Sequence, residues 1–151
     1  YSGWRPQELA ILKVADIDLE ACTMFGGLKT DAGRNRVVPI HSAIYDLVVA
    51  NYNKAVAMGS DYLFNDENGQ QGTHLTYDKY RGRFEKINKR FNMSHKPHDT
   101  RHTFISAAKS ANMNEYILKL IVGHEILDVT EKVYTHRSMQ ELADEIEKIV
   151  Y

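Results

Sequence analysis

The sequence predicts an α+β fold that is mainly α-helical and carries one small antiparallel β-sheet. Along most of the 151 residues, apolar side chains recur at steps of three and four, which is the spacing of amphipathic helices. One early segment instead has two short strand-like arms around a polar, Gly-containing turn, which predicts a hairpin. The chain is long enough to bury one core, and 43% of its residues are hydrophobic, so we expect a single domain over residues 1–151.

The first forty residues predict a helix followed by the sheet. Helical spacing runs from Trp4 to Val14, and the pattern then becomes strand-like from Ile17 to Phe25. The hairpin arms are Thr23–Lys29 and Arg34–Ile40, and Gly33 between them can supply the positive φ that a tight turn needs.

The next segment predicts a helix and then a polar loop. Ser42 is the expected N-cap, and Gly59 is expected to end the helix. We expect Asp61–Phe64 to be a short extended segment and Asn65–Thr73 to be a loop. The apolar face of the helix would consist of Ile44, Leu47, Val48, Tyr52 and Ala55.

A strongly amphipathic helix follows this loop. Its regular period favours a buried helix face for the aromatic stripe over a platform that stacks on bases. That stripe comprises Tyr77, Tyr80, Phe84, Ile87 and Phe91. The opposite side is basic and could face the phosphates of a nucleic acid, through Lys79, Arg81, Arg83, Lys86, Lys89 and Arg90.

The last third of the chain predicts four helices. Thr100–Ser110 and Glu115–Val122 are periodic, and the glycine after the second would terminate it. Asp128–Glu131 has the form of a capping box for a short helix that would carry Tyr134. Ser138–Glu141 repeats that form and opens a final helix with an apolar stripe of Met139, Leu142, Ile146 and Ile149.

The charge is unevenly distributed although the net charge is only -1. Residues 79–109 carry a net charge of +7, whereas the segments before and after them each carry -4. The basic block is either a surface that attracts a polyanion or a solvated helix face. The lone Cys22 and the lack of an apolar run of about 18 residues favour a cytoplasmic setting without membrane insertion.

Four side chains between Pro97 and Tyr134 point to chemistry on a phosphodiester. Arg101 can bind phosphate oxygens through a bidentate fork, His98 and His124 can move protons near neutral pH, and Tyr134 can act as a nucleophile. His98 and His102 are spaced like a metal-binding pair, but the sequence shows no pattern such as HExxH that would supply further ligands, which disfavours a metal site.

Two upstream positions carry charges that fit the same chemistry. Glu8 follows Arg5 by three residues and could orient its guanidinium on a helix, although a surface ion pair would have the same spacing. Lys29 lies at the end of a hairpin arm, where it could enter a groove or simply protect a sheet edge.

In order and spacing, these motifs resemble the catalytic domain of the tyrosine recombinases, the phage-integrase family, along nearly the whole chain. Val122 stands where the family more often has Leu before Gly-His, which is a conservative change. The matching segments are Ser2–Leu9, Leu28–Thr30, His98–Phe104, Gly123–His124 and Tyr134–His136.

The resemblance implies a role for each residue. Tyr134 would attack the scissile DNA phosphate, His98 would accept its proton and Lys29 would protonate the departing 5′-oxygen. Arg5 and Arg101 would bind the non-bridging oxygens, helped by a hydrogen bond from His124 and by support of Arg5 from Glu8. Because these cations supply the stabilisation that other phosphoryl-transfer enzymes take from Mg²⁺, no cofactor is expected.

The resemblance also implies double-stranded DNA as the partner and a homo-tetrameric synapse on that DNA, in a prokaryotic cell or a mobile element, near the nucleoid. The C-terminal helix would either dock on a neighbouring protomer or fold back on its own core. We expect the chain to be a fragment of a longer protein with a separate N-terminal core-binding domain. A type IB topoisomerase is the nearest alternative, although it usually has lysine where His98 stands, and a non-catalytic DNA-binding module is another.

Overall fold

The computed structural model describes residues 1–28, 31–65, 74–126 and 137–150. This part of the chain forms six α-helices and one three-stranded antiparallel sheet, which confirms the predicted fold class. No described helix is both long and apolar enough to cross a membrane. In chain order the elements are α1 (Pro6–Ala10), a 3-10 turn (Val14–Asp16), β1 (Ile17–Asp18), β2 (Thr23–Gly26), β3 (Arg36–Pro39), α2 (Ser42–Ala57), α3 (Tyr77–Phe91), α4 (Asp99–Ser110), α5 (Glu115–Val122) and α6 (Met139–Ile146).

The sheet has the strand order β1-β2-β3, and its register pairs Met24 with Val38, both of which are buried. The predicted strand over Ile17–Phe25 is wrong in one respect. It is broken into β1 and β2 by a turn in which the Asp18 carboxylate accepts a hydrogen bond from the backbone of Ala21 at 2.8 Å. The arms of the hairpin are also shorter than predicted.

The hairpin connection differs from the prediction in its backbone. Among the described residues of the connection, positive φ values lie at Gly27 and Asn35, not at Gly33. Lys29 and Thr30, which belong to the same connection, lie outside the described residues.

The first helix ends earlier than its apolar period predicts. The Leu12 carbonyl accepts a hydrogen bond from the backbone of Leu63 at 2.8 Å, and the Val14 N–H donates to Asp61 at 3.0 Å. These backbone groups therefore pair with the extended segment predicted over Asp61–Phe64 instead of with each other. Most of the predicted loop, residues 66–73, lies outside the described residues.

The predicted cap of α2 is wrong by one residue. His41 is the N-cap, since its Nδ1 accepts a hydrogen bond from the backbone of Ala43 at 3.0 Å. Ser42 begins the helix, and both its N–H and its hydroxyl donate to Glu147 at 2.6 Å. Leu47 was expected on the buried face of the helix but is 64% exposed. The predicted end of the helix at Gly59, which has φ 63°, is confirmed.

The boundaries of α3 agree with the prediction, but its aromatic stripe does not form core. No residue of α3 is buried, and Phe91 is 62% exposed. The helix packs mainly against the short α1, so no second layer covers its outer apolar positions among the described residues. The helical period predicted which side chains share a face, but it contained no information on whether another element covers that face.

The core lies between the sheet and the C-terminal helices. Leu142 and Ile146 of α6, with Ile149 beyond it, are buried in the same cluster as Val38 and Ile121. The predicted capping box of Ser138 and Glu141 is confirmed at the start of α6. In this structure the last helix is thus folded back on its own core, with only Met139 of its predicted stripe partly exposed.

Candidate functional site

Four segments that are distant in sequence meet around a cluster of arginines. Arg5 precedes α1, Arg36 begins β3, Arg101 lies in the first turn of α4, and His124 follows α5. The Arg101 Nη1 donates to the carbonyl of Gly3 at 2.7 Å, which joins α4 to the segment that bears Arg5. The structure therefore brings Arg5, Arg101 and His124 together, as the sequence predicts.

Arg5 is oriented by the carboxylate of Glu8. Its Nη1 donates to Glu8 Oε1 at 2.9 Å, and its backbone N–H donates to Oε2 at 3.0 Å. The predicted ion pair is therefore present, and it lies at the site instead of on an open surface. Arg5 also lines a pocket of about 220 Å³ together with His98, Gln7, Tyr77 and Pro6.

Arg101 is only 3% exposed and is held by backbone carbonyls. Besides Gly3, it donates through Nη2 to the carbonyl of Val122. Burial, together with the positive charges of Arg5 and Arg36, lowers the pKa of Arg101 to about 10, and the charge of Glu8 opposes this shift. Arg101 is therefore still a cation at neutral pH, in a fixed orientation.

Glu8 is a buried carboxylate, 2% exposed, with donors on several sides. Arg36 Nη2 donates to it at 2.6 Å, and the backbone N–H of Leu28 donates at 3.1 Å. Burial by itself would raise the pKa of Glu8, but hydrogen bonds from Arg36, Arg5 and Leu28 and the charge of Arg36 lower that pKa to about 2. Glu8 is therefore ionised throughout the neutral range.

Arg36 is the site residue that the sequence reasoning missed. It is buried, its Nε donates to the carbonyl of Ile121 at 2.9 Å, and its guanidinium stacks 4.2 Å from the centroid of a Trp4 ring. A signal was present in the sequence. Arg36 shares the strand period of the buried Val38, so it is a charged residue on the inward side of β3.

His98 and His124 lie at the exposed rim of the cluster. His98 stands at the N-cap position of α4 without a side-chain cap hydrogen bond, and its ring centre is 5.0 Å from that of His102. Partial desolvation lowers the pKa of His98, helped by the neighbouring His102, Arg101 and Arg5. Partial desolvation is also the largest cause that lowers the pKa of His124, and the charges of Arg101 and Arg5 lower it further. Both rings are therefore predominantly neutral at pH 7.

The remaining predictions concern Lys29 and Tyr134, a possible metal-binding pair of histidines, and the basic side of α3. Lys29 and Tyr134 lie outside the described residues, so both stay predictions. No three His, Cys, Asp or Glu side chains converge on a metal site within the described ranges, so the pair His98 and His102 has no third ligand there. The predicted basic side chains of α3 are all exposed, and Arg81 pairs with Asp78 at 3.3 Å and with Glu85 at 3.8 Å.

Gly123 fixes the end of α5 beside the arginines. It has φ 67°, and a Cβ there would lie 2.7 Å from the Gly33 Cα and 3.2 Å from the Arg36 Nη1. Since backbone cannot yield as a flexible side chain can, we expect Gly123→Ala to lower the free energy of unfolding by about 1–3 kcal/mol. Thermal unfolding of the variant would measure the loss.

Gly82→Ala is the matched control for this substitution. Gly82 lies inside α3, and no described neighbour lies within 4 Å of a Cβ added there, so alanine should raise the free energy of unfolding by about 0.5–1 kcal/mol. Equal stability changes in the two variants would contradict a steric role for Gly123.

The cluster suits a phosphate group. Three guanidinium groups surround one buried carboxylate, Glu8, so positive charge is in excess among the described side chains at this point. A phosphodiester oxygen would add negative charge where it is lacking, and guanidinium groups bind such oxygens with directed hydrogen bonds.

One family model and two curated proteins match nearly the whole chain. The model of the phage integrase family matches residues 1–141. Tyrosine recombinase XerA from Pyrococcus horikoshii is 27% identical over 149 residues, which cover 97% of this chain and 50% of that protein. Tyrosine recombinase XerA from Saccharolobus solfataricus is 29% identical over 144 residues, which cover 95% of this chain and 45% of that protein. The chain thus spans about half the length of the curated relatives it matches.

Solved structures show the same fold. The integrase from mycobacterium phage Brujita superposes with a TM-score of 0.72 at 22% identity, covering 99% of this chain and 48% of that one. The Tn1549 transposon integrase, solved in complex with circular intermediate DNA, gives 0.65 at 24% identity, covering 97% and 54%. Since the family model matches more than nine-tenths of the sequence, the chain belongs to the phage integrase family.

Proposed function

We propose that this chain is the catalytic domain of a site-specific DNA recombinase that cleaves and rejoins strands through a 3′-phosphotyrosyl intermediate. The convergence of Arg5 and Arg101, with His98 and His124 at the rim, is the observation that carries the proposal. The proteins reported above are a tyrosine recombinase, XerA, and two integrases, one of them in complex with DNA, and no observation favours the topoisomerase alternative. We further propose that residues 1–151 act together with a separate N-terminal DNA-binding domain.

The proposed reaction exchanges one phosphate ester for another. The Tyr134 oxygen attacks phosphorus and the bond to the 5′-oxygen breaks, while the phenol proton passes to His98 and Lys29 protonates the leaving oxygen. His98 has a lowered pKa and is neutral at pH 7, so a ring nitrogen is available to accept that proton. When the 5′-hydroxyl of a different strand attacks the phosphotyrosyl phosphorus, the Tyr134 oxygen leaves. The cleaved strand is then joined to a new partner strand.

Arg5 and Arg101 would stabilise the charge that develops on the non-bridging oxygens. Both are oriented before DNA binds, Arg5 by Glu8 and Arg101 by two carbonyls, so little reorganisation is needed in the transition state. A neutral His124 would donate one further hydrogen bond to the same phosphate. We propose that these charges supply the stabilisation without a metal cofactor.

The experiment that tests this function needs no knowledge of the target sequence. A pool of nicked DNA duplexes, randomised on both sides of the nick, is incubated with the protein and denatured in detergent. We expect covalent adducts that carry the DNA 3′ end on Tyr134, located by mass spectrometry after proteolysis. Absence of any adduct, or an adduct on another residue, would contradict the proposal.

We propose that the basic side of α3 binds the DNA backbone near the site. Tyr77 at the start of α3 lines the same pocket as Arg5 and His98, so this helix borders the cluster. We expect the double variant Lys86→Gln and Lys89→Gln to bind duplex DNA more weakly. The slope of log affinity against log salt is negative, and its magnitude should decrease by about 1.8, at about 0.9 for each lost phosphate contact.

The matched control for this variant removes the same charge elsewhere. Lys13→Gln combined with Lys54→Gln affects two exposed lysines away from α3 and should leave the slope unchanged. Equal slopes for the two double variants, measured by fluorescence anisotropy over a salt series, would argue against α3 as the DNA-binding surface.

We also propose that four copies assemble on DNA, in the cytoplasm near the nucleoid. In the structure α6 buries Leu142 and Ile146 in its own core, so exchange of this helix between copies would first have to expose them. Assembly through α6 would therefore depend on DNA to bring the copies together.

A further inference from the structure

We propose that Arg36 is a positioning residue for DNA cleavage. Acting through Glu8 and through the end of α5, it would hold Arg5 and His124 in the arrangement that the transition state needs. The inference rests on the proposed function and assigns a role to a residue outside the family motifs quoted above.

The contacts of Arg36 join three segments of the chain. Its Nη1 and Nη2 meet Glu8 Oε1 at 3.2 Å and Oε2 at 2.6 Å, which is a bidentate fork. Its Nη1 also donates to the carbonyl of Gly33, and its Nε donates to that of Ile121 at 2.9 Å. One guanidinium thus ties α1, the β2–β3 connection and α5.

The first route to the site runs through Glu8. The same carboxylate accepts hydrogen bonds from the Arg5 side chain, from the Arg5 backbone and from the Leu28 backbone. If Arg36 were lost, a buried carboxylate would lose its shortest ion pair and would either take up a proton or turn toward other donors. Either change would alter the orientation of Arg5.

The second route runs through the end of α5. Three arginines donate to three successive carbonyls there, Arg36 to Ile121, Arg101 to Val122 and Arg5 to Gly123 at 3.4 Å. Carbonyls at a helix C-terminus lack partners within the helix and carry partial negative charge. The three contacts therefore set the position of the backbone directly before His124.

Stability alone is a poor explanation for this arrangement. A buried ion pair adds little to stability compared with a well-packed apolar residue, because both charges lose their hydration. Lysine would keep the charge of Arg36 but could not reproduce the fork to Glu8 together with the bond to Ile121. The planar geometry of the guanidinium is thus the property on which the proposal depends.

The test compares Arg36→Lys and Arg36→Met with Arg34→Met, which changes an exposed arginine of the same connection. Adduct formation on the randomised nicked duplexes is followed in a single turnover at saturating DNA, beside duplex affinity and melting temperature. We expect Arg36→Lys to fold and to bind DNA like the wild type, but to form the adduct about 100-fold more slowly. A rate equal to that of Arg34→Met would overturn the inference.

A pH profile separates positioning through Glu8 from a general loss of structure. Glu8 is faced by Arg5 from the start of α1, by Arg36 from β3 and by the charge of Arg101 from α4. With Arg36→Met, the hydrogen bonds from Arg5 and Leu28 remain but offset burial less fully, so the pKa of Glu8 should rise from its wild-type value. Adduct formation should then fall on the acid side at a higher pH than in the wild type, and Glu8→Gln added to Arg36→Met should remove that difference.

The outcomes distinguish the inference from the function beneath it. A wild-type protein that forms no adduct overturns both. An active wild type with an unchanged rate in Arg36→Lys overturns only the role of Arg36. Slow cleavage whose pH profile does not respond to Glu8→Gln overturns the route through Glu8.

Discussion

Replacing Tyr134 with Phe is expected to reduce covalent adduct formation by at least about 10⁴-fold, since the substitution deletes only the oxygen that attacks phosphorus. The aromatic ring is retained, so affinity for duplex DNA and the melting temperature should stay unchanged. Detergent-resistant adducts on nicked duplexes, quantified beside equilibrium binding, would measure both effects.

Tyr52→Phe is the matched control for this variant. Tyr52 lies in α2 and lines a separate pocket with Lys13 and Tyr62. The Tyr52→Phe variant should therefore form adducts at the wild-type rate. Because the chain has nine tyrosines, the control tests whether the loss is specific to one of them. An adduct that survives in Tyr134→Phe would remove Tyr134 as the nucleophile.

Replacing Arg101 with Lys is expected to slow adduct formation by about 10²–10³-fold, as losses of a single transition-state donor do. The wild-type guanidinium bonds the carbonyls of Gly3 and Val122 in a buried position. One ammonium cannot hold both carbonyls and also present a fixed donor to a phosphate oxygen. Since the charge is retained, the salt dependence of DNA binding should not change.

The same substitution should reduce stability to a limited extent. A buried carbonyl left without its donor costs about 1–3 kcal/mol, so the melting temperature should fall while the protein still folds. Rates are therefore compared well below the unfolding transition, with Arg34→Lys as an exposed control on the surface. A rate loss that merely follows the unfolded fraction would contradict a direct role for Arg101.

Both predictions concern a site whose arginines are already oriented by other groups of the protein. Arg5, Arg36 and Arg101 stand around a single carboxylate, and the lowered pKa of Arg101 reflects both its burial and the repulsion among them. A phosphate oxygen would relieve that repulsion. The structure thus gives a physical reason for anion binding that does not depend on the net charge of the chain, which is only -1.

The local part of this structure could be predicted from the sequence. The bounds of α5, the start of α6 with the capping box of Ser138, and the helix end at Gly123 agree with the predictions, because caps and amphipathic periods depend on residues within one or two turns. The last helix ends at Ile146, before the predicted stripe position Ile149. The motif residues Arg5, His98, Arg101 and His124 could be singled out because their types and order are specific to one kind of chemistry.

The sequence by itself therefore determined the fold class, most helix boundaries and the residues that we propose to face the phosphate. Only the tertiary structure decided that Arg36 belongs to the site, that His41 caps α2 and that no described element covers the stripe of α3. The physical reason is separation along the chain. Arg36 meets Glu8 across 28 residues and Ile121 across 85, and no local period contains such a contact.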